Sequence, residues 1–209
     1  MSEPLQQFGA DYWEARYRDG EATSRLEPSP SLVTAADGVA PGTALDAGCG
    51  AGADTLWLAA RGWRVTAVDV SPTALDRGRR TASAAGPALA ERVVWVQADV
   101  TTWDSGPRGF DLVSSHYVHV PGPPEALFRR LASWVAAGGT LVVVGHDGAH
   151  GHGDHHPPES RVVVDQVLSV LPAEAWDVVT AGSRTRTVRR PDGDLTLDDV
   201  VVHARRRAS

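Results

Sequence analysis

The sequence contains no lysine, and all twenty of its basic residues are arginines. Lysine forms Schiff bases with carbonyl substrates, contacts phosphates in the Walker motif, and pairs with tyrosine in the short-chain dehydrogenases. These three kinds of chemistry are therefore excluded. The single cysteine, Cys49, excludes an intramolecular disulfide.

The chain also lacks long apolar runs. Residues 1–10 are polar and contain no apolar core of a signal peptide, and no run approaches the roughly 18 apolar residues of a membrane helix. The net charge of −6 disfavours nucleic acid as the main partner, because phosphate binding requires a basic face. We therefore expect a cytoplasmic protein that binds neither nucleic acid nor membrane. Its expected partner is a small molecule, and its expected state is a monomer or a homodimer.

Short apolar segments alternate with amphipathic ones from residue 43 onward, which predicts parallel strands joined by helices. The run at Gly139–Gly145 is typical of a parallel strand buried on both faces. Ser71 and Pro72 have the residue types preferred at the N-cap and at the first position of a helix. The predicted strands are Thr43–Asp46, Arg64–Asp69, Val93–Gln97, Phe110–Ser115 and Gly139–Gly145, and the predicted helices are Asp54–Arg61, Pro72–Ala85, Pro124–Trp134 and Arg161–Leu171.

The two ends of the chain differ from this alternation. The C-terminal part of the chain has two extended segments, Trp176–Arg189 and Leu195–Arg206, with a turn signal at Pro191–Gly193 between them. This pattern predicts an antiparallel hairpin. We therefore predict one α/β domain over residues 1–209, with a doubly wound, mostly parallel seven-stranded sheet. Residues 1–40 form a short helical cap segment in this prediction, which the prolines at 28 and 30 interrupt, and residues 41–209 form the core.

Three glycines, Gly48, Gly50 and Gly52, follow the first predicted strand. Glycines at such a bend let a ligand approach the backbone, and open α/β sheets bind ligands at the carboxyl ends of their strands. Gly48, Gly50 and Ala53 also satisfy the dinucleotide fingerprint. Asp46 argues against a dinucleotide, because its negative carboxylate would lie near the negative pyrophosphate. The same carboxylate would attract the positively charged ammonium of an amino acid. Gly52 leaves room for a cofactor that has no phosphate.

Two further carboxylates follow the next two strands. Asp69 ends the second strand, where a carboxylate accepts both ribose hydroxyls of a nucleoside cofactor. Asp99 follows the third strand, where a carboxylate accepts a hydrogen bond from an adenine amino group. Together with Asp46, they predict a nucleoside site beside the glycine loop.

The segments that carry these residues resemble the successive motifs of the class I methyltransferases that use S-adenosylmethionine (SAM). The resemblance implies a Rossmann-like fold, SAM as cofactor and S-adenosylhomocysteine as product. It implies that Asp46 and the three glycines hold the methionine portion, Asp69 the ribose, and Asp99 with the Val100 amide the adenine. Val70 and Ser115 complete the predicted cofactor site. The motifs are ALDAGCGAG, VTAVDVSPTALDRG, VQADVTTW, FDLVSSHYVHV and GGTLVVVGHD.

A narrower resemblance concerns the N-terminal segment. The pattern Trp13-x-x-Arg16-Tyr17, the Pro28-x-Pro30 bend and the stretch WLAARGWRVTAVD are similar to the thiopurine and tellurite-resistance methyltransferases. Those are small-molecule enzymes whose N-terminal segment covers the cofactor. The resemblance implies that Trp13 and Tyr17 cap the cofactor and that the methyl acceptor is a small molecule.

The acceptor is expected beyond the ends of the fourth and fifth strands, where His116 and His146 are the predicted catalytic residues. Either histidine would remove a proton from the acceptor or orient it; His119 is predicted to pack. No Asn-Pro-Pro-Tyr-like motif follows the fourth strand, which weighs against nucleobase N-methylation. The loop that holds His146, His150, His152, His155 and His156 is predicted as a lid, and no metal site is assigned to it.

Two other functions stay open at this stage. A nicotinamide-dependent oxidoreductase would share the glycine loop and the ribose carboxylate. A non-catalytic SAM-binding or metal-sensing module would share the cofactor site and show no turnover.

Overall fold

The computed structural model describes residues 8–20, 27–147, 162–188 and 195–208. Within these ranges, strands and helices alternate in the predicted order. The helices are α1 (Ala10–Arg18), α2 (Pro30–Ala36), α3 (Ala53–Ala60), α4 (Pro72–Ala85), α5 (Pro87–Ala90), α6 (Pro124–Ser133) and α7 (Val164–Leu168). The strands are β1 (Thr43–Ala47), β2 (Arg64–Asp69), β3 (Val93–Gln97), β4 (Phe110–His116), β5 (Val135–His146), β6 (Trp176–Val188) and β7 (Leu195–Arg206).

The strands form one seven-stranded sheet in the order β3-β2-β1-β4-β5-β7-β6. The first five run parallel, and β7 pairs antiparallel with both β5 and β6. This arrangement confirms the predicted fold class. The chain winds to one side of β1 through β2 and β3, then to the other through β4 and β5. The carboxyl ends of β1 and β4 therefore flank the point where the strand order reverses, which is where open sheets bind ligands.

Both faces of the sheet are covered, because neighbouring residues on a strand point to opposite faces. On one face, Leu45 and Val113 pack in a cluster that includes Leu131 of α6. On the other face, their neighbours Ala44 and Leu112 join a second cluster with residues of α2 and α3. The apolar character of β1 and β4 thus follows from burial on both faces. The same holds for the predicted run in β5, where Val143 packs in the first cluster and Val142 in a third.

The bounds of β5 and α7 differ from the prediction. β5 begins at Val135 rather than at Gly139, because Val135 pairs with Phe110 before the register shifts and Thr140 pairs with Leu112. The predicted helix from residue 161 begins at Val164. Val162 instead forms a parallel bridge with Asp147 and donates its amide to the His146 carbonyl.

Two short helices, α2 and α5, were not predicted. Pro28 and Pro30 were expected to interrupt helix formation, but Pro30 occupies the first position of α2, where proline needs no hydrogen-bond partner. Leu32 of this helix is fully buried. The N-cap prediction at α4 is confirmed, since the Ser71 hydroxyl accepts the Ala74 amide at 3.1 Å.

The two strands of the predicted C-terminal hairpin, β6 and β7, are confirmed. The predicted turn at 191–193 lies outside the described residues. In the described part of the chain, none of the helices has the length and apolar character needed to cross a membrane.

Candidate functional site

A cavity of about 210 Å³ opens at the carboxyl edge of β1, β2 and β4. Its walls come from the glycine loop, the strand ends and α1, so that it lies where the sequence predicted the cofactor. The residues that line it are Phe8, Ala10, Trp13, Tyr17, Asp46, Gly48–Ala53, Asp54, Asp69, Val70, Ala98, Asp99, Val100 and His116–Pro121.

The glycine loop fits tightly between its neighbours. Gly50 has φ +55°, and a Cβ atom there would lie 2.4 Å from the hydroxyl of Tyr17. Gly52 has φ +84°, and a Cβ atom there would lie 2.5 Å from the Trp95 ring. Only glycine adopts such angles without strain, and only glycine leaves room for these side chains. The loop is therefore shaped by protein packing as well as by the space that a ligand needs.

Asp69 holds the glycine loop in place. Its carboxylate accepts the Gly50 amide at 2.8 Å and the Ser71 amide at 2.9 Å, and the residue is buried. Burial raises the pKa of Asp69, and the hydrogen bonds from the two amides only partly offset this. An ionised carboxylate has about four acceptor positions, so ribose hydroxyls can bind alongside the two amides.

The other two predicted carboxylates also line the cavity. Asp46 is buried at the end of β1 and accepts the Thr55 hydroxyl at 2.6 Å. Asp99 is exposed and accepts the amide and hydroxyl of Thr101 at 2.8 and 2.7 Å. Val100 beside it is buried. Three carboxylates from three adjacent strands thus surround one glycine loop.

The cap helix α1 is held over the cavity by contacts that no sequence motif indicated. Glu14 accepts hydrogen bonds from the Ser71 hydroxyl at 2.6 Å and the Thr73 hydroxyl at 2.5 Å. Burial acts to raise the pKa of Glu14, but these hydrogen bonds outweigh it, and the pKa lies below its ordinary value. The Arg77 guanidinium donates to the Tyr17 carbonyl at 2.5 Å. Burial raises the pKa of the Tyr17 phenol, which stays protonated.

His116, one of the two predicted catalytic residues, is the last residue of β4 and lines the cavity. Its Nδ1 lies 2.5 Å from an oxygen of Asp54, and both side chains are buried. The sequence indicated only a helical position for Asp54. Its position directly after the glycine loop, in the first turn of α3, was the available signal.

His146, the second predicted catalytic residue, is not among the described residues that line the cavity. Its ring stacks on His119 with 5.7 Å between ring centroids, and His119 in turn stacks on Trp13 at 5.9 Å. His146 therefore supports the cavity wall from behind, and His119, predicted only to pack, forms part of the wall. The predicted histidines at 150, 152, 155 and 156 lie outside the described residues.

Ser115 was also predicted to bind the cofactor. Its side chain is buried in β4, and it is not among the described residues that line the cavity. A cofactor contact for Ser115 therefore stays a prediction.

A second polar cluster lies behind the wall, around buried Asp199 of β7. Asp199 accepts the Tyr117 hydroxyl at 2.6 Å and binds Nε of Arg186 at 2.5 Å. His146 Nδ1 lies 3.8 Å from its other oxygen. Tyr117 has a φ of +56°, which is unusual for a tyrosine, and Asp199 fixes its hydroxyl.

In the described ranges of the chain, His, Cys, Asp and Glu side chains form no group of three or more that is placed to hold a metal ion.

Residues 44–139 match a protein family described as "Methyltransferase domain". Trans-aconitate 2-methyltransferase from Methylobacterium radiotolerans is 34% identical over 137 residues, which cover 64% of this chain and 49% of that protein. The 2-heptyl-1-hydroxyquinolin-4(1H)-one methyltransferase from Mycobacteroides abscessus is 29% identical over 189 residues, which cover 81% of this chain and 80% of that protein.

Among solved structures, the chain is similar to 1,6-didemethyltoxoflavin-N1-methyltransferase from Burkholderia thailandensis with S-adenosylhomocysteine bound. The TM-score is 0.68 at 23% identity, over 99% of this chain and 93% of that one. The chain spans about half the length of the trans-aconitate methyltransferase, and 34% of a ribosomal RNA small subunit methyltransferase C from Chromohalobacter salexigens.

The sheet order defines an open, doubly wound α/β domain, and the glycine loop at its reversal point lies among three strand-end carboxylates. The family match makes the assignment more specific. The match over residues 44–139 supports a class I SAM-dependent methyltransferase domain in this part of the chain, with SAM as its cofactor.

Proposed function

We propose that this chain transfers the methyl group of SAM to a small-molecule acceptor. The observation that carries the proposal is the grouping of Asp46, Asp69 and Asp99 around one glycine loop, in a cavity that four aromatic residues also line. When bound, SAM supplies a methyl group on a positively charged sulfur. The protein has to hold the two reactants in line and exclude water.

The carboxylates divide the cofactor among them in this proposal. Buried Asp46 attracts the ammonium of the methionine portion, while Gly48, Gly50 and Gly52 leave room for its backbone atoms. Asp69 accepts the ribose hydroxyls with the acceptor positions that its two amide partners leave.

The far end of the cofactor and its cover are assigned in the same way. Asp99 and the Val100 amide hold the adenine, and Val70 lines the site beside the ribose. Trp13 and Tyr17 of the cap helix close the site against water, which strengthens the polar contacts inside it.

The shape of the acceptor side supports a flat, small acceptor. Phe8, Trp13 and His119 stand close together there, with interplanar angles of 26° between Phe8 and Trp13 and 15° between Trp13 and His119. Aromatic side chains arranged in this way favour stacking with a planar ring. The Mycobacteroides abscessus and Burkholderia thailandensis relatives are named for 2-heptyl-1-hydroxyquinolin-4(1H)-one and 1,6-didemethyltoxoflavin, which are heterocyclic small molecules.

The test is methyl transfer from isotope-labelled SAM to a panel of purified acceptors. The panel contains 2-heptyl-1-hydroxyquinolin-4(1H)-one, trans-aconitate, a small aliphatic thiol and a small-subunit ribosomal RNA transcript, and product is followed by mass spectrometry. We expect methylation of a heterocyclic acceptor and none of the RNA. Methylation of the RNA alone would contradict the proposal, and reactions without acceptor give the background rate.

A further inference from the structure

The pair formed by His116 and Asp54 has a geometry that fixes the position of one proton. Nδ1 of His116 lies 2.5 Å from Oδ2 of Asp54, and the other Asp54 oxygen accepts the Ser29 amide at 2.6 Å. A carboxylate oxygen accepts hydrogen bonds, so the proton in the short contact belongs to Nδ1. A neutral imidazole that carries its proton on Nδ1 has its lone pair on Nε2.

The Nε2 atom of His116 is the unusual part of this pair. It is buried, and it has no hydrogen-bond partner among the residues that the structure describes. Buried polar atoms in proteins are nearly always paired, and exceptions often mark functional groups. The His116 ring lines the cofactor cavity, so a ligand in that cavity is the partner that the Nε2 lone pair lacks.

We propose that His116 is the proton acceptor of the methyl transfer, that Asp54 is its positioning residue, and that the acceptor molecule reacts through an O–H or N–H group that is protonated at neutral pH. This inference rests on the proposed function and specifies its acceptor class. An acceptor that is already an anion needs no base, and the Nε2 lone pair cannot donate a hydrogen bond to it.

The proton and electron pairs balance within the site. The acceptor's O–H or N–H proton moves to Nε2 of His116, while the Nδ1 proton stays in the hydrogen bond to Asp54. The lone pair of the acceptor oxygen or nitrogen forms the new bond to the methyl carbon. The bond from that carbon to sulfur breaks with its electrons kept by sulfur, which becomes neutral. The imidazolium then releases its extra proton to water, and the ionised Asp54 stabilises the imidazolium until it does so.

The direct test is the protonation of the two ring nitrogens of His116, which needs no knowledge of the acceptor. Nitrogen-15 chemical shifts distinguish protonated from unprotonated imidazole nitrogens, and the His116→Asn variant assigns the signals. We expect Nδ1 protonated and Nε2 unprotonated in the whole protein at pH 7.5, and a loss of this preference in Asp54→Asn. A His116 ring that is protonated on Nε2 instead of Nδ1, or on both nitrogens, in the wild-type protein would overturn the proposal.

A kinetic test uses two probes of the same shape, 2-naphthol and 2-naphthalenethiol. The naphthol is protonated at neutral pH, whereas the thiol is largely ionised. His116→Asn should lose about 100-fold or more in kcat with the naphthol, the usual contribution of a general base, and much less with the thiol. Asp54→Asn should follow the same pattern with a nearly unchanged KM. Equal losses with both probes would contradict a proton-accepting role.

His203 provides the matched control. It is a buried histidine of β7 whose Nε2 also has no partner among the described residues, but it is not among the described residues that line the cavity. His203→Gln should leave kcat with both probes close to the wild-type value. Failure of the wild-type protein to bind S-adenosylhomocysteine would defeat the proposed function itself, whereas the nitrogen shifts would still decide the His116–Asp54 assignment.

Discussion

Replacing Gly52 by alanine is expected to lower the free energy of unfolding by about 2–5 kcal/mol. Gly52 has φ +84°, and a left-handed backbone costs an L-residue about 1–2 kcal/mol. The new Cβ would also lie 2.5 Å from the Trp95 ring, and overpacking of this kind costs about 1–3 kcal/mol. Urea unfolding followed by tryptophan fluorescence and by circular dichroism measures the change.

Gly38→Ala separates the two contributions. Gly38 has a similar φ of +70°, but no atom lies within 4 Å of its Cβ position, so this variant adds backbone strain alone. It should lose about 1–2 kcal/mol. Equal losses in the two variants would show that the Trp95 contact does not constrain the loop. Because the displaced loop lines the cavity, only Gly52→Ala should also weaken cofactor binding.

Asp69→Ala is the second substitution with a large expected effect, and it acts on both stability and cofactor binding. Removal of the carboxylate leaves the buried Gly50 and Ser71 amides without their acceptor, at a cost of about 1–3 kcal/mol each. It also removes the partner proposed for the ribose hydroxyls, so the affinity for S-adenosylhomocysteine should fall at least about tenfold. Calorimetric titration and thermal unfolding measure the two effects on the same preparation.

Asp111→Ala is the matched control for Asp69→Ala. Asp111 lies at the opposite, amino edge of the sheet, where its carboxylate accepts the Thr43 amide at 2.7 Å and the Thr43 hydroxyl at 2.8 Å. Its loss should reduce stability and leave cofactor affinity unchanged. A folded Asp69→Ala protein with wild-type affinity would remove Asp69 from the cofactor site.

Much of the fold was predictable because it follows from local sequence patterns. The β-branched run at Arg64–Asp69 and the apolar run at Gly139–Gly145 fall within strands β2 and β5. The three carboxylates were predictable for the same reason: each lies at or just after the end of an apolar strand, and parallel strands bring their carboxyl ends to one edge. Local pattern therefore indicated three carboxylates that the structure brings together in one cavity.

On the acceptor side of the candidate site, the sequence indicated His116 but not its partner Asp54, because that pairing depends on a contact between distant segments. His116 and Asp54 are 62 residues apart in sequence, and only the packing of α3 against the end of β4 brings them together. The stack that joins Trp13 to His119 and His146 likewise links the cap helix to the ends of two strands. The spacing of residues along the sequence does not indicate such contacts, because they join segments that are far apart in the chain.

The helix that begins at Pro30 illustrates a different limit. A proline interrupts a helix in its interior but favours one at its first position, and the sequence does not say which case applies. Burial of Leu32 against the sheet decides it, because the energy that holds a seven-residue helix comes from packing rather than from intrinsic propensity.

Isothermal titration calorimetry of the wild-type protein with S-adenosylhomocysteine and, separately, with NADH decides whether the cavity binds SAM and its product or a dinucleotide. We expect saturable binding of S-adenosylhomocysteine to one site, with a dissociation constant in the micromolar range, and no saturable binding of NADH. Saturable heat with NADH and none with S-adenosylhomocysteine would contradict SAM as the cofactor.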